Sequence, residues 1–284
     1  PCSGTAPVDY YREGTTRPFT DSQLRPTMML AATSIEDAQA LIARGLAADS
    51  SFPGGTGWFV NTTDAVRSVR WDRFLETVDE FGEQLELHAV DNGDGAGSDF
   101  IEGEQDVLFY FTGLREVDGI SSNSYRPGAV ADHLTSFGGE LPFSEQMSIL
   151  AWLEAGLTGS FGTAHEPCAF PAKFPDTLEL IRHYMSGNTL VEAYWKSVWS
   201  PGEGNFVGEP LARPFGGAAT SWDGSRWTIT TSALRPGRTY SLQEGSSEDG
   251  PWTDLRELEA STDLGPLDVV ISHPAARWYR LSEL

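Results

Sequence analysis

Apolar positions along the first three quarters of the chain fall into two alternating kinds of pattern. Short continuous runs, which suit strands buried on both faces, alternate with longer stretches whose apolar residues recur at helical spacing. Thr27–Ala32 (TMMLAA), Trp58–Asn61 (WFVN), Leu85–Val90, Asp106–Thr112 (DVLFYFT), Gly128–Leu134 and Leu157–Phe161 read as strands. Ser34 with Asp37 three residues on marks a helix start, and that helix is expected to end before Gly45. Thr63 is read as the cap of a helix from Asp64 to Phe81, and further helices are expected over Ser144–Ala155, Asp176–Met185 and Thr189–Val198. Such alternation implies a mostly parallel sheet covered by helices on both faces.

Beyond Pro214 the helical period disappears. Gly216–Ala219 reads as a small-residue linker. Trp227–Thr231, Thr239–Gln243, Trp252–Leu258, Leu267–Ile271 and Trp278–Leu281 then alternate with Pro, Gly, Asp and Ser turns. Short strands at this spacing predict a small β-sandwich. The expected organisation is an α/β domain over residues 1–215 and a β-sandwich module over 216–284 that packs on it. Trp222, Trp227, Trp252 and Trp278 either form the core of that module or offer interface anchors.

Charge narrows the partners. With 41 acidic against 19 basic residues the formal net charge is −22, a field that repels phosphate backbones and anionic membranes, so nucleic-acid binding is not expected. Twelve acids and one base, Arg73, lie between Asp72 and Asp106 inclusive. No apolar run approaches the length of about 18 residues that crosses a bilayer. The opening residues, PCSGTAPVDYYREGTTRPFTDSQLR, look like the interior of a protein, so a processed product lacking its N-terminal part is expected. Two cysteines, Cys2 and Cys168, leave open one disulfide, pairing with a missing segment, or a nucleophile.

Candidate chemistry concentrates between Tyr125 and Cys168, in the loops that leave two successive strands. Loops at the carboxyl ends of parallel strands are where open α/β sheets bind ligands. His133 and Cys168 are the candidate catalytic pair, since a neighbouring base activates a thiol. The alternative is that His133 bonds the loop backbone while Cys168 is buried or in a disulfide. Asp132, Thr135, Ser136, His165 and Glu166 complete the loop and pocket candidates. Asp132 and His133 are adjacent on a strand and so face opposite sides of the sheet. His165 and Cys168 make only a partial zinc set, with no second ligand pair. Asp91, Asp94, Asp99 and Glu102 lie in a glycine-rich acidic loop with the ingredients of a calcium site, although not at EF-hand spacing. No cofactor is required on this reading, and calcium is the one metal considered.

Several blocks, RPTMMLAATSIEDAQALIARGLAAD, TGWFVNTTDAVRSVR, PGAVADHLTSFGG, WLEAGLTGSFGTAHEPC, KFPDTLELIRHYMSGNTLVEAYWKSV and FVGEPLARPF, resemble those of an uncharacterised family of exported bacterial proteins. The resemblance covers roughly residues 20–215. The order of parts is also distantly similar to the gingipain branch of the caspase-like cysteine peptidases. LEAGLTGSFGT resembles the strand after the catalytic cysteine, TLVEAYWKSV the following helix and VGEPL the closing element. That resemblance puts the histidine loop at Thr112-Gly113-Leu114 and the cysteine near Thr135–Ser136, and neither residue type is present there. It implies a caspase-like fold with a degenerate peptidase site, acting in binding or assembly outside the cell, in the periplasm or at the cell surface. Its expected partners are another protein or a companion N-terminal fragment of the same precursor. The rival expectation is a cysteine-type peptidase or other hydrolase working through the His133 and Cys168 loops.

Overall fold

Six successive residues of Val107–Thr112 are buried, and this apolar strand sits in the middle of the larger sheet. The computed structural model describes residues 6–15, 17–231, 234, 237–260 and 267–284. In chain order its first elements are helices α1 (Pro18–Ser22) and α2 (Ile35–Ala48), strand β1 (Thr56–Asn61), helix α3 (Trp71–Phe81), and strands β2 (Glu86–Asp91), β3 (Val107–Thr112) and β4 (Tyr125–His133). There follow α4 (Leu150–Glu154), β5 (Gly159–Thr163), α5 (Thr177–Met185), α6 (Leu190–Ser197) and β6 (Gly204–Gly208). The six strands form one sheet in the order β2-β1-β3-β4-β5-β6, parallel except for β6 at the edge.

Alternation along the strands builds two cores. Phe59, Phe109, Phe111, Val130 and Phe161 face α3, α5 and α6. Val60, Tyr110, Ala129 and Ala131 face the other way, onto Trp152 of α4 and the loops before β3 and β4. On that second side α2 packs through Leu41 against Leu150, Leu153 and Val207. An α/β sheet flanked by helices, as the pattern predicts, is what the chain forms.

Several boundaries differ from expectation, each for a local reason. The run Thr27–Ala32 makes only an isolated bridge, Met29 to Val207, along the outer edge of β6, and Met29 and Leu30 remain exposed. Helix α2 continues through Gly45 to Ala48. Gly45 is buried where a Cβ would lie 2.6 Å from the Glu209 side chain, so this glycine serves close packing and does not end the helix. The helix expected from Asp64 starts only at Trp71. Before it, the Ser68 hydroxyl accepts from the Thr62 N–H and the Asp64 carboxylate accepts from the Arg67 N–H, side-chain bonds that compete with helical ones. Helix α4 likewise starts at Leu150 rather than Ser144, because Ser144 Oγ donates to Phe137 O and Gln146 Oε1 accepts from the Phe137 N–H.

Helix α6 shows the opposite case, a start written plainly in the chain. Thr189 and Glu192 form a capping box, with the Glu192 carboxylate accepting from the Thr189 N–H at 3.0 Å. Thr189→Ala is expected to lower stability by about 1 kcal/mol, read as a shift of the urea midpoint with an unchanged slope.

The C-terminal part is all-β, in two three-stranded antiparallel sheets. Strands β7 (Ala218–Trp222), β8 (Arg226–Thr231) and β11 (Leu267–Ser272) form one, in the order β11-β8-β7. Strands β9 (Thr239–Gly245), β10 (Trp252–Glu259) and β12 (Trp278–Glu283) form the other, in the order β10-β9-β12. Their shared core is Leu242, Val269 and Ile271, with Trp227 and Tyr279 meeting edge to face at 5.7 Å. Trp252 lies under the Arg280 guanidinium, whereas Trp222 is exposed. The expected linker Gly216–Ala219 is partly the strand β7. At the end of the α/β part, Phe215 packs edge to face on both Phe52 and Tyr184.

Candidate functional site

In this sheet the chain runs outward from β1 in both directions, to β2 on one side and to β3 on the other. The carboxyl ends of β1, β3, β4 and β5 therefore gather the loops with binding potential. Three of them, after β1, β4 and β5, enclose a cavity of about 290 Å³ lined by Val66, Arg67, Leu134, Thr135, Ser136 and the segment Glu166–Ala169. Four of the expected residues, Thr135, Ser136, Glu166 and Cys168, thus come together around one cavity. His165 is exposed and does not line it.

The β4 and β5 loops are locked to each other at short range. Thr163 Oγ1 donates to Thr135 O at 2.8 Å and lies 3.0 Å from Ser136 O. Gly139 N donates to Thr163 O, and a Cβ on Gly139 would stand 2.0 Å from Gly162 O, so only glycine permits this approach. Across the cavity, Cys168 and Ala169 both hold positive φ, 58° and 52°, an uncommon conformation for residues with a Cβ. The Glu166 carboxylate accepts from the Cys168 N–H at 2.8 Å and holds this turn in place.

Arg67 supplies the positive charge of the cavity and Glu166 the negative one. Arg67 Nε donates to Thr135 Oγ1 at 3.0 Å and Arg67 Nη1 to the Asp64 carboxylate at 2.6 Å. Thr135 Oγ1 in turn donates to Gln146 Oε1 at 2.8 Å. The threonine hydroxyl is therefore held between an acceptor and a cation, with its proton directed away from any base.

His133 and Asp132 lie on opposite faces of β4, as strand alternation requires. The His133 ring is 1% exposed and both its nitrogens are engaged: Trp152 Nε1–H donates to Nδ1 at 3.0 Å, and Nε2 lies 3.1 Å from Met147 O. Accepting at Nδ1 sets Nε2 as the protonated nitrogen of the neutral ring. Burial pushes the imidazole down to about 4, with Arg70 and Arg67 adding to the shift and the Met147 carbonyl opposing it. Cys168 is disulfide-bonded, and its partner lies outside the described residues, as does Cys2. The expected base and thiol are therefore not presented to each other: one is sealed in the core and the other is oxidised.

Asp132 faces the other core and forms a buried ion pair. Its Oδ1 accepts from Arg70 Nη2, which also donates to Thr112 O at 2.9 Å. Burial raises the Asp132 carboxyl above its usual range, and the Arg70 charge works against that rise. Its second oxygen, Oδ2, has no hydrogen-bond partner among the described residues.

The acidic loop after β2 spends its carboxylates on its own backbone and neighbours. Asp91 Oδ1 accepts from Asn61 Nδ2 and Gly93 N, and Asp94 Oδ1 from Ala96 N. Asp99 accepts from Thr63 N and Asn92 Nδ2. Thr63 therefore bonds this loop and does not cap a helix. Asp91, Asp94, Asp99 and Glu102 do not converge: among the described residues no group of three or more acidic, His or Cys side chains is placed to hold a metal.

Sequence reasoning passed over Arg67 and Arg70. Their signal was the string VRSVRWDR, with arginines at positions 67, 70 and 73 directly after a buried strand in a chain poor in bases. Assigning the segment to a helix hid it. No protein-family model, no curated protein and no solved structure matches the chain. Among the described residues no helix is long and apolar enough to cross a membrane.

Proposed function

We propose that the chain is an exported protein of caspase-like, distantly gingipain-like ancestry whose peptidase site has become a binding pocket. In this reading it acts as a binding or assembly component at the cell exterior. The observation that carries the proposal is the state of the nitrogen base. His133 is sealed between Trp152 and Met147, and the cavity at the Thr135–Ser136 position holds Arg67 and hydroxyls but no imidazole. Nucleophilic catalysis needs a base within hydrogen-bond reach of the attacking group. A rigid pocket with fixed donors and a tight double turn still serves recognition. A disulfide at Cys168 suits an oxidising compartment.

The test is a peptide library passed over the immobilised native protein, with bound and flow-through fractions read by mass spectrometry. Retention of a subset of intact peptides, abolished by Ser136→Trp, which fills the cavity, is the expected result. Cleaved peptides in either fraction, lost in His133→Ala, would instead establish a hydrolase. Retention unchanged by Ser136→Trp would remove the cavity from the account.

A further inference from the structure

The cavity at the ends of β1, β4 and β5 holds more polar chemistry than its own hydrogen bonds consume. Arg67 Nε and Nη1 serve Thr135 and Asp64, while Nη2 makes no hydrogen bond among the described residues. Glu166 gives Oε1 to the Cys168 N–H, and its Oε2 has no donor among those residues. Ser136 engages its carbonyl with Thr163, and its Oγ is likewise without a partner there. Arg67, Ser136 and Glu166 are all part-exposed and none of these three atoms is sealed from solvent. The bonds to Thr135 and Cys168, which line the same cavity, hold the Arg67 and Glu166 head groups at its wall.

Charge selects the class of ligand. The Arg67 cation is balanced by Asp64 at 2.6 Å. Glu166 has no ion-pair partner among the described residues, so the site carries one uncompensated negative charge. Its complement is a single cation, and the free Arg67 N–H beside it calls for a neutral acceptor. At about 290 Å³ the cavity lies at the lower end of the range for small-molecule sites, so one small ligand meets both walls. The remaining lining is apolar and compact: Val66, Leu134, Pro167 and Ala169.

We infer that the cavity takes a primary ammonium group with a neutral carbonyl beside it, the chemistry shared by the free amino terminus of a peptide and by an amino-acid amide. This rests on the reading of the cavity as a binding pocket and names its ligand class. The ammonium donates to Glu166 Oε2 and Ser136 Oγ, and the carbonyl oxygen accepts from Arg67 Nη2. A small apolar side chain lies on Val66, Leu134 and Pro167. A free amino acid fits less well, since its carboxylate competes with Asp64 for Arg67 and leaves the site with a net negative charge.

The experiment is calorimetric titration of the native protein with leucinamide, N-acetylleucinamide, leucine, isoamylamine and the amide of the peptide Leu-Ala-Ala. Leucinamide is expected to bind about 10-fold more tightly than N-acetylleucinamide, which lacks the charge, and than isoamylamine, which lacks the carbonyl. Leucine should fall between leucinamide and no binding. Glu166→Gln keeps an oxygen for the Cys168 N–H, so it should weaken leucinamide about 10-fold and leave N-acetylleucinamide unchanged. Tighter binding of the peptide amide than of leucinamide identifies a peptide terminus as the source, and equal binding a free amino-acid derivative. N-acetylleucinamide matching leucinamide, or no binding by any of the amines, overturns the inference. If peptides retained through the cavity are then still retained after N-acetylation, the binding pocket stands and only this ligand class falls. If retention never responds to Ser136→Trp, both fall. The native series decides the matter whether or not the variant folds.

Discussion

Arg70→Leu is expected to lower the stability of the α/β part by about 3–5 kcal/mol, the usual consequence of removing one partner from a buried ion pair. Asp132 is fully buried, and Arg70 is its only hydrogen-bond donor among the described residues. The substitution also strips donors from Thr112 O and Pro175 O, at the end of β3 and just before α5. Burial already raises the Asp132 carboxyl, and Arg70 is the attraction that opposes the rise. Without it the folded state holds the proton more strongly than the unfolded chain does. The variant should therefore lose further stability as pH rises above the ordinary carboxylate range. Arg70→Leu with Asp132→Leu removes both charges and should regain most of the loss, because an apolar pair of similar volume replaces a buried one at little cost. Urea unfolding of the single and double variants at neutral pH measures this. A single variant within about 1 kcal/mol of the native protein would mean that the pair does not hold these two strands to α5.

The same pair shows what could and could not be read from the chain. DVLFYFT and GAVADHL are buried strands by their apolar runs alone, and the structure places them side by side as β3 and β4. Strand alternation correctly separated Asp132 from His133, because the period of two is a property of the backbone. What each side chain meets is set by distant chain, and no spacing announces that Trp152 will cap His133 or that Arg70 will reach Asp132. Glycine-rich strands were equally hidden. β6, GNFVG, carries only two large apolar residues and is recognised as a strand only through its partner β5. The cavity lined by Thr135, Ser136, Glu166 and Cys168 was legible because loops following neighbouring parallel strands must meet at one edge of the sheet. Its third wall, from the loop after β1, was not legible, since side-chain bonds of Thr62, Asp64 and Ser68 displaced the helix that the pattern suggested there.

Two buried imidazoles should make the protein labile to mild acid, well before most carboxylates titrate. His133 is pushed down to about 4 and His183 to about 3, burial being the first cause in each, with Lys196 and Arg182 adding to the shift at His183. An unfolded histidine titrates near 6.5, so between that value and the folded ones the unfolded chain binds more protons than the native state. Stability conferred by these neutral rings is thus complete above about pH 6.5 and is lost as pH falls through the folded values. Each ring accounts for about 3 kcal/mol by pH 4. Asp132 and Glu209, whose carboxyls burial raises, act in the opposite sense and reduce the net loss. His183 is the better one to remove. Its Nε2 has no hydrogen-bond partner among the described residues, and the Glu179 Oε2 oxygen stands 4.0 Å from it. A leucine at 183 therefore deletes the titration without orphaning a neighbour. The urea midpoint of the native protein should fall steadily from pH 6.5 to 4.5, and His183→Leu should fall with about half that slope. An equal slope in the variant would mean that His183 is already reached by water in the native state, and the acid lability would have to be sought at His133 alone.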